Sequence, residues 1–250
     1  MTPYIRMRMA NKGKGEFRAE GDVIWLYDVI AADDDEANWW GGVSPRQFIA
    51  ALAAIDGPVT LRINSPGGSV FGAQAMVAAM RAHPHPITAR IDSLAASAAS
   101  VMAAECAECV MVPGSMLMIH KAWGLTVGNA DDHRGVAELL DKIDGQIAAS
   151  YARRAGDDDK DRYLQMMAAE TWFEPEEALA AGLADRIDDA NTQRPAARWD
   201  LSAYQAAPWT PAPVEPAAPS APAAPAASMQ DHLRAQRRRM AEVKARVARI

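Results

Sequence analysis

The chain has only two cysteines, Cys106 and Cys109, in 250 residues. That is too few for a disulfide framework, and it points to a reducing compartment. Their C-x-x-C spacing has no second ligand pair to make a zinc site and falls where a helix should end and a strand begin, so packing accounts for it better than redox or metal chemistry. There is no run of about 18 apolar residues, which excludes an ordinary membrane-spanning helix. The N-terminus is polar and basic without an apolar segment, so a secretory leader is not expected. Positive charge is short as well. The net charge of −6 argues against a nucleic-acid surface on the body of the chain. The acids Asp33-Asp34-Asp35-Glu36 read as a solvated loop rather than a metal site. The charge is unevenly spread: beyond Met229 seven basic residues face two acids, so this end carries +5 and the rest −11.

Half of the residues are hydrophobic, enough to core one medium domain with an appendage. Residues 1–20 are polar and rich in Lys, Arg and Gly and read as a flexible arm. Residues 23–30 are β-branched and aromatic and predict a buried strand. Ser44-Pro45-Arg46-Gln47 is a capping box with proline at the first helical position, opening a helix towards Ile55. A strand over 59–63 leads into Asn64-Ser65-Pro66-Gly67-Gly68-Ser69-Val70 and a helix over 72–81, and a further strand follows over 86–91. This alternation predicts an α/β domain with parallel pairing. In such sheets ligands bind at the carboxyl ends of the strands, where the Gly67-Gly68 turn falls.

Ile91-Asp92-Ser93-Leu94-Ala95-Ala96-Ser97-Ala98-Ala99-Ser100-Val101-Met102 begins as an apolar strand, narrows to small residues and continues as a buried helix. Ser97 therefore sits at a strand-to-helix elbow, where small neighbours admit a substrate backbone and the first helical amides can hold a developing negative charge. Small-residue packing alone would also produce such a run. Another apolar strand, Met116-Leu117-Met118-Ile119, ends in His120. Of the five histidines it is the one placed at the mouth of a buried sheet. Val136, Leu140, Ile143, Ile147 and Tyr151 mark a long amphipathic helix over 131–155. A shorter helix follows over 161–169, and another is started by Pro175 and stopped by Gly182. The folded domain is expected to span 21–190. Residues 191–228 form an Ala/Pro-rich linker whose prolines recur every third residue from Pro213 to Pro225, the period of polyproline II. Residues 229–250 read as a basic helical tail.

Three separated segments, Ile63-Asn64-Ser65-Pro66-Gly67-Gly68, Ala95-Ala96-Ser97-Ala98 and Met118-Ile119-His120, resemble in order and spacing the Clp-type serine peptidases. Glu170-Thr171-Trp172, with Glu176-Glu177-Ala178 through Gly182-Leu183-Ala184-Asp185, is similar to the last segment of that family. The fuller Ala-Ala-Ser-Ala-Ala-Ser run looks most like the bacteriophage branch of head maturation (prohead) proteases. The likeness covers residues 22 to 188, with independent motifs in register.

The resemblance implies a ClpP/crotonase-like α/β fold of repeated β-β-α units and serine endopeptidase chemistry without a cofactor. It puts Ser97 on the nucleophile, His120 on the general base and the amides of Gly68 and Ala98 on the oxyanion hole. Glu170 falls where the family usually has aspartate, leaving Asp131, Asp132 and Asp161 as alternatives for the third member. An extended substrate would lie between Gly67, Ser69 and Val70 on one side and Lys121, Ala122, Trp123, Gly124 and Leu125 on the other. The long helix matches the handle that packs subunits into homo-oligomeric rings. The implied partners are protein substrates, namely capsid scaffold and head proteins, in the bacterial host cytoplasm or inside the prohead. Neither a membrane nor an ATPase is expected, and only the basic tail suits nucleic acid or an acidic protein. The competing readings are an ATPase-dependent Clp proteolytic subunit, an acyl-CoA enzyme of crotonase type, and a non-catalytic capsid assembly module.

Overall fold

A computed structural model of the chain describes residues 3–188 and 199–208. Among these residues one eight-stranded, mostly parallel sheet forms the centre of a mixed α/β fold. Strands β2 (Val23–Tyr27), β3 (Val59–Ser65), β4 (Ile87–Ala96), β5 (Glu108–Met111) and β8 (Arg186–Ile187) run parallel in that order, with β1 (Glu16–Glu20) antiparallel at the β2 edge. The long strand β4 serves two partners on the same side. Its first half pairs with β5, and Leu94, Ala95 and Ala96 then pair with β6 (Met116–Ile119), which continues antiparallel into β7 (Thr171–Phe173). With Ala96 opposite Met118, the residues that follow the two strands are brought side by side.

Alternation builds the sheet. In β3, Val59, Leu61 and Ile63 enter the core while Thr60 and Arg62 face the other way, and each such aliphatic side chain contributes about 1.5–3 kcal/mol of burial. On the opposite face, Asp92 of β4 is 2% exposed and accepts from Arg62 at 2.7 and 2.8 Å, from Tyr27 at 2.6 Å and from Arg90 at 3.2 Å. A buried carboxylate is tolerated because its lone pairs are filled by charge-assisted donors.

The helices form where their caps predict. α3 (Pro45–Ala53) opens on the reciprocal Ser44–Gln47 box, and α4 (Val70–Ala82) is capped by Ser69, whose hydroxyl accepts from the Gly72 amide. All seven residues of α5 (Ala98–Ala104) are buried. The 26-residue α6 (Ala130–Ala155) begins with an Asn129–Asp132 box, buries Ile143, Ile147 and Tyr151 in its second half, and stops at left-handed Gly156. α7 (Lys160–Ala168) and α8 (Pro175–Ala180) lead into β7 and β8 respectively.

Three expectations need correction. Residues 1–20, read as an arm, contain α1 (Pro3–Asn11) and β1. Met7, Arg8 and Asn11 are buried, so α1 is held partly through polar side chains that polarity alone does not reveal. The acidic run is not a loop: Asp33 caps α2 (Asp34–Trp40), its carboxylate accepting from the Glu36 amide at 2.8 Å, and acids in the first turn suit the helix dipole. Finally, residues 199–208, assigned to the linker, pack on the domain. Trp199, Leu201 and Tyr204 join Met7, Val29, Leu94, Ala96 and Met118 in a small apolar cluster. The proline repeat of 213–225 and the basic tail of 229–250 lie outside the described residues.

Cys106 and Cys109 are buried and unbridged. Burial pushes both thiols up, Cys109 to about 11, so neither is a ready nucleophile. Among the described residues no helix is long and apolar enough to cross a membrane.

Candidate active site

Ser97 lies between the end of β4 and the start of α5 with φ 55 and ψ −125. A β-substituted residue rarely adopts this conformation, which costs roughly 1–3 kcal/mol unless its surroundings enforce it. Here they do. The Ser97 amide donates to the Met118 carbonyl of β6 at 2.9 Å, and the Ser97 carbonyl accepts from the Ser100 amide at 2.9 Å and the Ser100 hydroxyl at 2.6 Å. Ser100 in turn lies 2.8 Å from the Tyr151 hydroxyl of α6. Both ends of the elbow are thereby fixed and its side chain is turned outward. Among the described residues, Ser97 and Glu170 are the two non-glycine positions with positive φ.

His120 follows β6 directly, so the β4–β6 register carries it to Ser97, with Nε2 2.7 Å from Oγ. Burial pushes the imidazole down to about 4, against an opposing pull from the negative charge of Glu170. The ring is therefore neutral near pH 7 and able to accept a proton.

The Gly67-Gly68 turn fits beneath the elbow. A Cβ on Gly67 would meet the Ala96 carbonyl at 2.5 Å and the Ser97 Cβ at 2.8 Å, and one on Gly68 would strike the Ile30 carbonyl. Both glycines have positive φ, so this approach requires the absence of a side chain. The turn is sewn to the strand ends by Ile30 donating to the Gly67 carbonyl and Ser69 donating to the Ile30 carbonyl, each at 2.9 Å. The Ala98 amide, at the first position of α5, has no intrahelical acceptor.

From this corner an open cleft of about 740 Å³ runs outward. Gly68, Ser69 and Val70 form one wall, Ala122 to Leu125 the other, and Leu140 and Ile143 of α6 line it as well. Of the predicted substrate contacts, Gly67 packs under Ser97 instead of lining the cleft. Lys121 anchors the second wall: its amide donates to the Met167 carbonyl at 3.1 Å, and its amine is 3.9 Å from Asp144. Asp144 also accepts from the Ala122 amide at 2.7 Å. Its carboxyl is raised above the ordinary aspartate value by burial, against the pull of that amide and of Lys121. The sequence signal for Asp144 was an acid set among Leu140, Ile143 and Ile147 on the apolar stripe of α6.

Glu170 sits just before β7, and its charge reaches His120. Its oxygens, however, bond elsewhere. Oε1 accepts from the Ala206 amide at 2.6 Å and from the Trp172 indole at 3.3 Å, and Oε2 accepts from the Gln205 amide at 2.9 Å. The alternatives lie exposed in the first turns of their helices. Asp131 pairs with Arg134, Asp132 closes the α6 cap, and Asp161 lies in the first turn of α7. Among the described residues no group of three or more His, Cys, Asp or Glu could hold a metal ion.

The family model described as Clp protease matches residues 45–191, more than half of the chain. The chain belongs to the Clp protease family. Its mixed, mostly parallel sheet agrees with the ClpP-like fold. The ATP-dependent Clp protease proteolytic subunit of Leuconostoc citreum is 31% identical over 145 residues, 55% of this chain and 70% of that protein. That of Deinococcus radiodurans is 29% identical over 151 residues, 58% and 74% of the two chains. Proteolytic subunit 1 of Leifsonia xyli is 26% identical over 178 residues, 67% and 83%. The matched family span contains Ser97, His120, Glu170 and the glycine turn, and ends before residues 199–208, which hold Glu170.

Proposed function

We propose that this Clp-family chain is a serine endopeptidase. The observation that carries the reading is the 2.7 Å approach of Ser97 Oγ to a neutral, partly buried His120 at the head of an open cleft. In the Nδ1–H tautomer, His120 Nε2 accepts the Ser97 hydroxyl proton as Oγ attacks the peptide carbonyl. The amides of Gly68 and Ala98 stabilise the resulting oxyanion, and His120 returns the proton to the leaving amine. Water, activated by the same imidazole, then releases the acyl group and restores Ser97. Glu170 supplies the negative charge that favours the imidazolium. The peptide lies extended between Ser69-Val70 and the stretch following the anchored Lys121-Ala122 pair. Replacing Ser97 or His120 with alanine should lower hydrolysis of a peptide library by roughly three orders of magnitude or more. Hydrolysis that survives Ser97→Ala contradicts the assignment.

We assign the biological role to head maturation: cleavage of scaffold and head proteins inside an assembling capsid by homo-oligomeric rings, without an ATPase. Support comes from the Ala-Ala-Ser-Ala-Ala-Ser wording and from the Ala/Pro-rich, basic extension suited to tethering an acidic scaffold. Deleting residues 209–250 should abolish incorporation into proheads and leave peptidase activity intact. The cut is placed there because the Ala206 amide holds Glu170. The named function of the relatives, ATP-dependent proteolysis, is the support for a second reading, in which degradation depends on an unfoldase and ATP.

A further inference from the structure

We propose that residues 199–208 are a working part of the active site, with Tyr204 a positioning residue that ties together the glycine turn, His120 and Glu170. The inference rests on the peptidase reading above. Three contacts of Tyr204 bear on the site. Its hydroxyl donates to the Pro66 carbonyl, which belongs to the peptide immediately before the Gly67-Gly68 turn. Its ring meets the His120 ring edge-on, with centroids 5.3 Å apart at 79°, and meets Trp172 at 6.0 Å and 76°. The next two amides, of Gln205 and Ala206, carry the Glu170 carboxylate.

This segment is built into the domain. The Trp199 indole donates at 2.9 Å to Asn64, which is fully buried two residues before Pro66. Asp200 and Asn11 exchange two hydrogen bonds, of 2.7 and 2.9 Å, fastening the segment to α1. Leu201, also fully buried, shares its cluster with Ala96 and Met118, the residues just before Ser97 and Ile119. Ala203 and Tyr204, with Met7 and Gly68, leave beside Ser97 a gap of about 10 Å³, the space of roughly one water.

Three effects on the site follow. Anchoring Pro66 fixes the turn from which the Gly68 amide projects, so the oxyanion donor is held before substrate arrives. The edge of Tyr204 excludes water from one side of the imidazole. The two amides fix the place of the Glu170 carboxylate, whose backbone is at φ 50. The ring otherwise faces Ser97 of the elbow, a neutral group; the neighbouring Lys121 pairs with Asp144. Glu170 is the charged group whose field bears on it.

The test uses the full chain carrying Tyr204→Phe or Tyr204→Leu. Turnover of a peptide substrate is measured together with NMR titration of the His120 imidazole, which does not depend on turnover. Tyr204→Phe keeps the ring and removes the hydroxyl that bonds Pro66. It should lower kcat by roughly two- to tenfold with KM within twofold and the titration unchanged. Tyr204→Leu opens the ring to water and should raise the His120 midpoint by at least about one pH unit from its value near 4. Folded variants with unaltered kcat and an unaltered midpoint would overturn the proposal and reduce Tyr204 to packing. If the leucine variant does not fold, the kcat-against-KM split of the phenylalanine variant decides. A wild type that hydrolyses nothing while its His120 midpoint still moves with Tyr204→Leu would overturn the peptidase reading and keep the positional role.

Discussion

Replacing Gly67 with alanine probes the elbow through a residue that takes no part in proton transfer. The added methyl would sit 2.5 Å from the Ala96 carbonyl, 2.8 Å from the Ser97 Cβ and 3.1 Å from the Ala98 amide, at φ 87. Relief to ordinary contact needs a displacement on the order of 1 Å, and all three obstructing atoms belong to the elbow. The shift therefore moves the serine. Left-handed backbone strain of about 1–2 kcal/mol and overpacking of about 1–3 kcal/mol together predict a loss of roughly 2–5 kcal/mol, or a fall in Tm on the order of 10 °C. A displacement of that size at the nucleophile costs about 100-fold in rate. Thermal melts and kcat/KM should be measured beside Gly57→Ala, where a Cβ meets nothing within 4 Å. If Gly67→Ala matches that control in both, the steric account of the elbow is wrong.

Acid should act on His120 well below the ordinary histidine range. kcat/KM is expected to hold down to about pH 5 and fall near pH 4; a limb at 6 to 7 would contradict the desolvated, neutral ring. The unfolded chain takes up this proton near pH 6.5 and the folded chain near 4, so stability is lost as pH falls through that window, by on the order of 3 kcal/mol at most. A His120→Asn chain should lack that component in denaturant titrations. Asp92→Ala removes the acceptor shared by Arg62, Arg90 and Tyr27, and urea unfolding should show a loss of about 3–5 kcal/mol; a change under 1 kcal/mol would show that water reaches those guanidinium groups. Cys106 and Cys109 should resist a thiol reagent in the native state and react once the chain is unfolded. Fast native labelling would contradict their burial.

The parts of the molecule that use one strong local signal were legible from sequence. The Ser44–Gln47 box, the proline and glycine that bound α8, and the small-residue run around Ser97 each act within a few residues, and the structure forms the elements they announce. His120 was legible because an apolar strand ending in one histidine leaves few other places for it. What escaped depends on distant partners. α1 hides its buried face because Arg8 and Asn11 bond to Gly41 and Asp200, far along the chain. Tyr204 and Trp199 looked like linker because alanine and proline surround them, although two aromatics in such a stretch are themselves a sign of burial. Glu170 was named from its position in a motif, and no spacing could announce that the backbone of residues 205 and 206 binds it.

The central claim is that Ser97, activated by His120, attacks carbonyl carbon. A fluorophosphonate probe tests it most directly, with intact mass and peptide mapping on wild type, Ser97→Ala and His120→Ala in their largest assemblies. The account predicts a single adduct on Ser97 in the wild type, none in Ser97→Ala, and labelling slowed by orders of magnitude in His120→Ala. An adduct on another residue, or no adduct in a folded, fully assembled wild type, would contradict it.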